Sequence, residues 1–157
     1  MRVEKDFVEF LELLNKYHVK YCIIGAYAVG FWGAPRYTKD IDILVEPTKE
    51  NAKKIIQALR EFGIKSSDLT EEDFYKKNRV VQLGYEPVRI DILTSVEGVS
   101  FKKIWENKVE GFYGKEKVYF VGLEELIKIK KRSNRPQDLI DLDVLLRRTK
   151  KRRKWKK

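Results

Sequence analysis

Cysteine and histidine are almost absent from the sequence. Cys22 is the only cysteine among 157 residues, which excludes a scaffold held together by intramolecular disulfides. It lies in the apolar run of residues 21–24, where a thiol serves as a small buried hydrophobe. His18, the only histidine, precedes that run in a predicted turn. It is a candidate general base, and an exposed turn residue is the alternative interpretation.

The sequence also lacks long hydrophobic runs. No stretch approaches the roughly 18 consecutive apolar residues of a membrane span, and the N-terminus has no hydrophobic segment typical of a signal peptide. We therefore expect a cytoplasmic protein with no membrane partner. At 157 residues, and with no internal repeat, the chain has room for one hydrophobic core but not for two.

Acidic residues are missing from the C-terminal end. Residues 147–157 contain nine basic residues and no acidic ones, which leaves 25 basic against 24 acidic residues in the rest of the chain. We predict a single domain over residues 1–148. Because like charges repel, we also predict that the basic tail, residues 149–157, is disordered. The tail is either a nucleic-acid-binding arm, in which Trp155 stacks on a base, or a solubilising terminus.

Two short apolar segments, with a glycine and a proline between them, occupy residues 21–45. Residues 21–24 predict a buried strand, and the chain turns at Gly25, where the absence of a Cβ allows a free turn or a close approach to a bound group. A short helix is predicted over residues 26–32. The Gly-Ala-Pro sequence of residues 33–35 ends it, because proline cannot continue a helix.

The second apolar segment, residues 40–45, is a predicted strand that carries two aspartates. Side chains alternate between the two faces of a strand, so Asp40 and Asp42 share one face. Adjacent carboxylates repel each other, and a divalent cation relieves the repulsion; oxygen-only ligands favour magnesium or manganese. A solvated acidic pair at a strand end is the alternative.

Together these features resemble the signature of the nucleotidyltransferase superfamily that includes DNA polymerase beta. The string R-Y-T-K-D-I-D of residues 36–42 fits the R-x-T-x-D-I-D string of the minimal nucleotidyltransferases of bacteria and archaea. Relatives of that group include abortive-infection toxins and antitoxin-like proteins paired with small helical toxins. Ala26 departs from the pattern, because the family often has serine or a second glycine after the position of Gly25. Backbone N–H groups would then make the phosphate contacts there.

Two further pairs of strands are predicted downstream. Residues 80–83 and 88–93 predict an antiparallel hairpin, with a bent strand as the alternative, and residues 109–113 and 117–120 predict a second hairpin. Asp91 lies between two apolar residues, as does the family's third carboxylate, which comes from a strand beside the D-I-D strand. The resemblance therefore makes Asp91 the third acid of a metal site. An edge-strand acid that faces water is the alternative.

Apolar residues at helical spacing predict helices over residues 4–16, 49–62 and 123–131. A last helix is predicted over residues 137–148, after Pro136. The predicted buried stripe of this last helix consists of Leu139, Ile140, Leu142, Leu145 and Leu146.

The start of this last helix resembles the family again. The string R-P-Q-D-L-I-D-L, which begins at Arg135, matches an R-P-x-D-x-x-D-L string that follows a lysine on the preceding helix. The matching lysine is Lys130, and Lys128 is the alternative. The resemblance makes Lys130 a phosphate contact and Asp141 a partner for it or for Arg135. Asp138 is expected to cap the helix, since acids near a helix N-terminus are stabilised by the macrodipole.

The resemblance implies an α/β (α+β) nucleotidyltransferase fold, with a mixed, mostly antiparallel sheet of four or more strands and flanking helices. It implies a metal-dependent enzyme that moves a nucleoside monophosphate from a nucleoside triphosphate, such as ATP, to a hydroxyl of a protein, an RNA or a small molecule, and releases pyrophosphate. The implied cofactor is Mg²⁺ or Mn²⁺, held by Asp40, Asp42 and Asp91. The implied nucleotide contacts are Gly25, Ala26, Arg36, Thr38 and Lys130, with Thr38 alternatively a buttress of the turn.

Two other functions stay open. The chain could be a non-catalytic member of the fold that binds RNA or another partner through its basic tail. It could also be an antitoxin-like partner of a small helical toxin, with or without enzymatic activity.

Overall fold

The computed structural model describes residues 3–33, 38–85, 88–133 and 135–155, with side chains up to residue 150. These residues form six strands and seven helices. The strands are β1 (Tyr21–Ile24), β2 (Asp40–Val45), β3 (Val80–Tyr85), β4 (Val88–Leu93), β5 (Val109–Tyr113) and β6 (Glu116–Phe120). The helices are α1 (Lys5–Lys16), α2 (Gly25–Trp32), α3 (Lys49–Phe62), α4 (Glu72–Tyr75), α5 (Phe101–Glu106), α6 (Leu123–Arg132) and α7 (Pro136–Trp155).

All six strands form one sheet in the order β3-β4-β2-β1-β6-β5. The pairs β1–β2, β3–β4 and β5–β6 are antiparallel, whereas β2–β4 and β1–β6 are parallel. The prediction of a mixed, mostly antiparallel sheet with flanking helices is confirmed, as are both hairpins. The parallel pair β2–β4 lies inside the sheet, and this pair carries the predicted acids.

The helices on the N-terminal side follow from apolar periodicity and local capping. Helix α1 buries Phe7, Phe10 and Leu14, three positions of one apolar stripe, and packs against α3. At the start of α3 the backbone N–H of Asn51 donates to the Thr48 hydroxyl at 3.2 Å, which satisfies one of the free donors of the first turn. These helices and the buried strand β1 form much of the hydrophobic core.

Helix α2 contacts β1, β2, α6 and α7 and therefore links the acid-bearing strand to the C-terminal helices. Among the described residues, no helix combines the length and the apolar character that crossing a membrane requires.

The last helix differs from its prediction in two respects. Helix α7 continues to Trp155, past the predicted end at Arg148, because lysine and arginine are good helix formers and local propensity outweighs their mutual repulsion here. The division into a domain and a basic tail stays a prediction.

The second difference is the buried face of α7. Leu145 is buried and Leu142 partly buried, but the prediction is wrong for the other three members of the stripe, which are exposed: Leu139, Ile140 and Leu146. The inward positions of the first two turns are taken by Asp138 and Asp141 instead. A polar contact with α6 replaces the apolar contact that periodicity indicated.

Candidate active site

Three carboxylates meet on neighbouring strands. Asp42 of β2 lies opposite Asp91 of β4 in the parallel register, and Asp40 lies two residues earlier on the same face of β2. One carboxylate oxygen from each residue lies within 4.8 Å of the others. Because β4 is an interior strand and Asp91 is buried, the alternative of a water-facing edge acid is wrong. The predicted acids Asp40, Asp42 and Asp91 are thus together, and we call them the acidic triad.

Gly25 lies directly beside this triad. Its neighbour Ile24 pairs with Asp42, and its backbone has a φ of +71°, which side-chain-bearing residues rarely adopt. A Cβ at this position would lie 2.2 Å from Oδ2 of Asp42. Glycine is required here both by the turn and by the close approach of a carboxylate.

Helix α2 begins at Gly25, so the backbone N–H groups of its first turn, with Ala26 in second position, start next to the triad. The N-terminal end of a helix carries free N–H donors and a partial positive charge, both of which favour anions. An anion held at this end would lie close to a metal ion held by the acids.

Burial and repulsion act together on Asp42. Burial is the main cause that raises its pKa to about 7, and the charges of Asp40 and Asp91 add to it. The positive charges of Lys130 and Arg135 act in the opposite direction. The triad offers three close carboxylates, and therefore only oxygen donors. A nearby cation would favour ionisation of Asp42, so the site fits a hard divalent cation such as Mg²⁺.

Arg89 is a residue of this site that sequence reasoning missed. Its Nε donates to Oδ1 of Asp91 at 3.0 Å, and its Nη2 donates to Oδ2 of Asp91 at 3.1 Å and to Oδ2 of Asp40 at 3.2 Å. Burial is the largest influence on the pKa of Asp91 and raises it, while the contacts with Arg89 oppose the increase. Strand alternation could have predicted this contact, because Arg89 and Asp91 are two residues apart on one strand and therefore share a face.

Thr38 supports the start of β2. Its hydroxyl lies 3.2 Å from both the backbone oxygen and Oδ1 of Asp40. This geometry favours the buttress interpretation over a nucleotide contact. The other predicted nucleotide contact of this segment, Arg36, lies outside the described residues.

The C-terminal residues of the prediction form an ionic cluster between α6 and α7, in which Lys130 and the two aspartates are buried and Arg135 is exposed. Lys130 Nζ donates to Oδ1 of Asp138 at 2.9 Å and lies 3.2 Å from Oδ2 of Asp141. Arg135 Nε donates to Oδ2 of Asp138 at 2.9 Å, and the Ser133 hydroxyl contacts the same oxygen. The predicted contact between Lys130 and Asp141 is present, and we call this group the Lys130 cluster.

Charge compensation in the Lys130 cluster is strong. Burial by itself would raise the pKa of Asp138, but hydrogen bonds from Ser133, Lys130 and Arg135 outweigh it and lower that pKa to about 2. Lys130 is 6% exposed, whereas the alternative lysine, Lys128, is on the exposed side of α6. Because Lys130 also lowers the pKa of Asp42, its charge reaches the acidic triad.

A cleft of about 810 Å³ opens at the C-terminal ends of β2 and β4. Its lining combines apolar groups such as Leu44 and Trp105 with hydroxyls and with charges of both signs. None of the three acids lines it. Its lining includes Lys20, which precedes β1, and Glu46, which follows β2, whereas Gly25 follows β1 and Asp40 begins β2. The cleft therefore opens at the other end of these two strands from the triad.

A six-stranded mixed sheet that presents three carboxylates next to a glycine-initiated helix defines the class of the nucleotidyltransferases. The chain belongs to the family described as "Nucleotidyl transferase of unknown function (DUF2204)", whose model matches residues 3–156. The predicted superfamily is thereby confirmed. Family and fold together support nucleotidyl transfer as the general activity.

Two solved structures are similar to this chain. One is the lincosamide antibiotic adenylyltransferase LnuA with lincomycin bound, at a TM-score of 0.59 and 20% identity over 90% of this chain and 95% of LnuA. The other is the protein TM1012 of Thermotoga maritima, assigned to the nucleotidyltransferases, at a TM-score of 0.53 and 17% identity over 98% of this chain and 94% of that protein. At these identities the similarity shows the shared fold. No curated protein sequence matches the chain significantly.

Proposed function

We propose that this protein is a Mg²⁺- or Mn²⁺-dependent nucleotidyltransferase that moves a nucleoside monophosphate from a nucleoside triphosphate to a hydroxyl acceptor and releases pyrophosphate. The observation that carries the proposal is the acidic triad, in which oxygens of Asp40, Asp42 and Asp91 lie within 4.8 Å of one another beside the start of α2. Family membership supports the nucleotide as substrate.

The triad residues would hold the divalent ion, which supplies neutralisation of phosphate charge and a lowered pKa of the acceptor hydroxyl. Asp42 contributes a half-buried carboxylate whose ionisation depends on a nearby positive charge, since its pKa is raised to about 7. Thr38 fixes the position of Asp40 through its hydroxyl. Gly25 keeps Asp42 close to the first turn of α2 because it has no Cβ.

The triphosphate would bind between the start of α2 and the Lys130 cluster. Backbone N–H groups of the α2 first turn, including that of Ala26, favour an anion. Lys130 is a buried positive charge whose influence reaches Asp42, and Arg135, at 81% side-chain exposure, is accessible to a ligand. Asp138 and Asp141 hold Lys130 in place and make its position well defined.

The acceptor is a hydroxyl group of a small molecule, an RNA or a protein. The neighbour LnuA acts on a small molecule, a lincosamide antibiotic. RNA or protein acceptors remain alternatives, as does a non-catalytic partner-binding role, including pairing with a small helical toxin.

The decisive experiment incubates the protein with α-³²P-labelled nucleoside triphosphates, a cell extract and either Mg²⁺, Mn²⁺ or EDTA. We expect label to be transferred to an acceptor only with metal, and Asp42→Asn to abolish the transfer. Asp68→Asn is the matched control, because this exposed loop aspartate lies away from the triad. Transfer that persists at full rate in Asp42→Asn, or in EDTA, would refute the proposal.

A further inference from the structure

Arg89 occupies the acidic triad, although nothing in the proposed chemistry requires an arginine between the acids. The parallel register places it opposite Asp40 on β2 and two residues before Asp91 on its own strand. Hydrogen bonds of 3.0–3.2 Å join its guanidinium to one oxygen of Asp40 and to both oxygens of Asp91. The guanidinium is thus held in the two-pronged geometry in which arginine binds carboxylates most strongly.

These are the oxygens that a divalent cation would need. Of the three triad carboxylates, two are engaged by Arg89 before any ion binds. A guanidinium does not lose its proton at any ordinary pH, so it cannot become neutral when a second cation arrives. Two cations a few ångströms apart in a partly buried site repel strongly. Binding of the ion and the present position of Arg89 therefore oppose each other.

The position of Arg89 also allows its guanidinium to move away when an ion binds. Its side chain is 27% exposed, so the guanidinium borders solvent and can move without unpacking the core. Once an ion neutralises Asp40 and Asp91, a bound triphosphate would offer the guanidinium another anionic partner. The planar donor fork of arginine suits phosphate oxygens as well as carboxylate oxygens.

We propose that Arg89 is a displaceable counter-cation: it neutralises Asp40 and Asp91 before the divalent ion binds, and afterwards contacts the phosphates of the nucleotide. This inference rests on the proposed function, because it presumes an ion and a triphosphate at this site. It makes Arg89 a residue that lowers affinity for the free ion and raises affinity for the nucleotide.

The first measurement is Mn²⁺ binding without nucleotide, by isothermal titration calorimetry. Arg89→Met is expected to bind Mn²⁺ about tenfold more tightly than the parent, since it removes charge-assisted hydrogen bonds that compete with the ion. Arg89→Lys keeps the charge but loses the fork, so it should fall between the two. Lys53→Met, which removes an exposed charge on α3, is the control for net charge and should match the parent.

The second measurement is binding of a non-hydrolysable ATP analogue at saturating Mn²⁺. Here Arg89→Met is expected to bind about tenfold more weakly, because an arginine contact with phosphate is lost. The two effects have opposite signs, which a residue with a merely structural role would not produce. Thermal melting and circular dichroism in EDTA verify that each variant is folded, and Arg89→Lys carries the test if Arg89→Met is not.

Three outcomes would overturn the proposal: Mn²⁺ affinity in Arg89→Met that is unchanged or weaker, analogue affinity that is unchanged, or Mn²⁺ affinity in Arg89→Lys equal to that of the parent. Asp42→Asn separates this failure from failure of the proposed function. If Asp42→Asn loses Mn²⁺ binding while Arg89→Met behaves like the parent, only the role of Arg89 is refuted. If Asp42→Asn binds Mn²⁺ normally, the metal site itself is refuted.

Discussion

At the scale of single residues, Asp42 shows how burial and neighbouring charges change the pKa of a carboxyl group. Burial first, and then the charges of Asp40 and Asp91, raise its pKa to about 7. In the unfolded chain an aspartate has a pKa of about 3.9. The folded protein without metal therefore retains a proton on Asp42 that the unfolded chain has already lost.

This difference predicts that the metal-free protein becomes less stable as pH rises, which is the opposite of the effect of a carboxyl group whose pKa is lowered by folding. Between about pH 4 and pH 7 the folded state binds more protons than the unfolded state, so the free energy of unfolding falls as pH rises, by at most about 1.4 kcal/mol per pH unit. Urea unfolding in EDTA at pH 5 and pH 8 measures the change. Asp42→Asn should remove most of it, and equal pH dependence in the parent and in Asp42→Asn would contradict the assignment.

Gly25 provides a second prediction at this scale, with a matched control in the same chain. Gly25→Ala should destabilise the protein by roughly 2 kcal/mol or more, because the left-handed backbone costs about 1–2 kcal/mol and the new Cβ meets Asp42 at 2.2 Å. Gly63→Ala carries only the backbone cost, since Gly63 has a φ of +105° with nothing within 4 Å of its Cβ position. Chemical unfolding measures both.

A double-mutant cycle tests the cause. The cost of Gly25→Ala should shrink in an Asp42→Ala background, where the clashing carboxylate is gone. An equal cost in both backgrounds would mean that the carboxylate does not contribute to the destabilisation.

At the scale of elements, α6 and α7 are joined by a buried ionic contact in addition to apolar packing. Lys130 on α6 is held by Asp138 and Asp141 on α7, and both acids are 2% exposed. Buried ion pairs are worth little compared with an apolar replacement of both partners, but they are costly to break on one side. The cluster therefore sets the alignment of the two helices and holds Lys130 near the triad.

Asp141→Asn tests this arrangement, and Asp143→Asn, two residues further along α7, is its control. Asp143 is exposed and pairs with Arg147 on the surface at 3.0 Å, so its loss should cost less than about 1 kcal/mol. Loss of one charge from the buried cluster should cost about 3 kcal/mol. Urea denaturation measures the difference, and equal effects of the two substitutions would show that the cluster does not stabilise the helix pair.

At the scale of the whole molecule, positive charge is concentrated at one end of an otherwise nearly neutral chain. Residues 147–157 carry nine of the 34 basic residues, and the last helix extends into this segment. The buried residues of α7 that the structure describes end at Leu145. Truncation after Thr149 therefore removes none of the residues that the structure describes as buried.

Truncation after Thr149 should leave the melting temperature nearly unchanged and weaken binding to a single-stranded RNA at low salt. The intact protein's affinity should fall steeply as salt increases, because phosphate contacts release counterions. Fluorescence anisotropy at several salt concentrations measures both effects. A variant with glutamine at the basic positions 150–154 separates charge from chain length. Undiminished RNA affinity in the truncated protein would exclude a nucleic-acid-binding arm.

Local patterns in the sequence determined the strands, the hairpins, the turn at Gly25 and the positions of Asp40 and Asp42 on one face. Strand alternation and helical periodicity depend on neighbours in the chain, so they can be read without knowledge of the fold. The resemblance to nucleotidyltransferases added Asp91 and Lys130, whose local surroundings are ordinary.

Only the tertiary structure decided which side chains neutralise one another. The parallel pairing of β2 with β4 brings Arg89 to Asp40, although 49 residues separate them, and no local pattern encodes that register. Contact with α6 turns Asp138 and Asp141 inward and leaves Leu139 and Ile140 exposed, against the periodicity of α7. The physical reason is the same in both places: the cost of burying a charge depends on its distance from an opposite charge, and that distance is set by packing between elements rather than by sequence spacing.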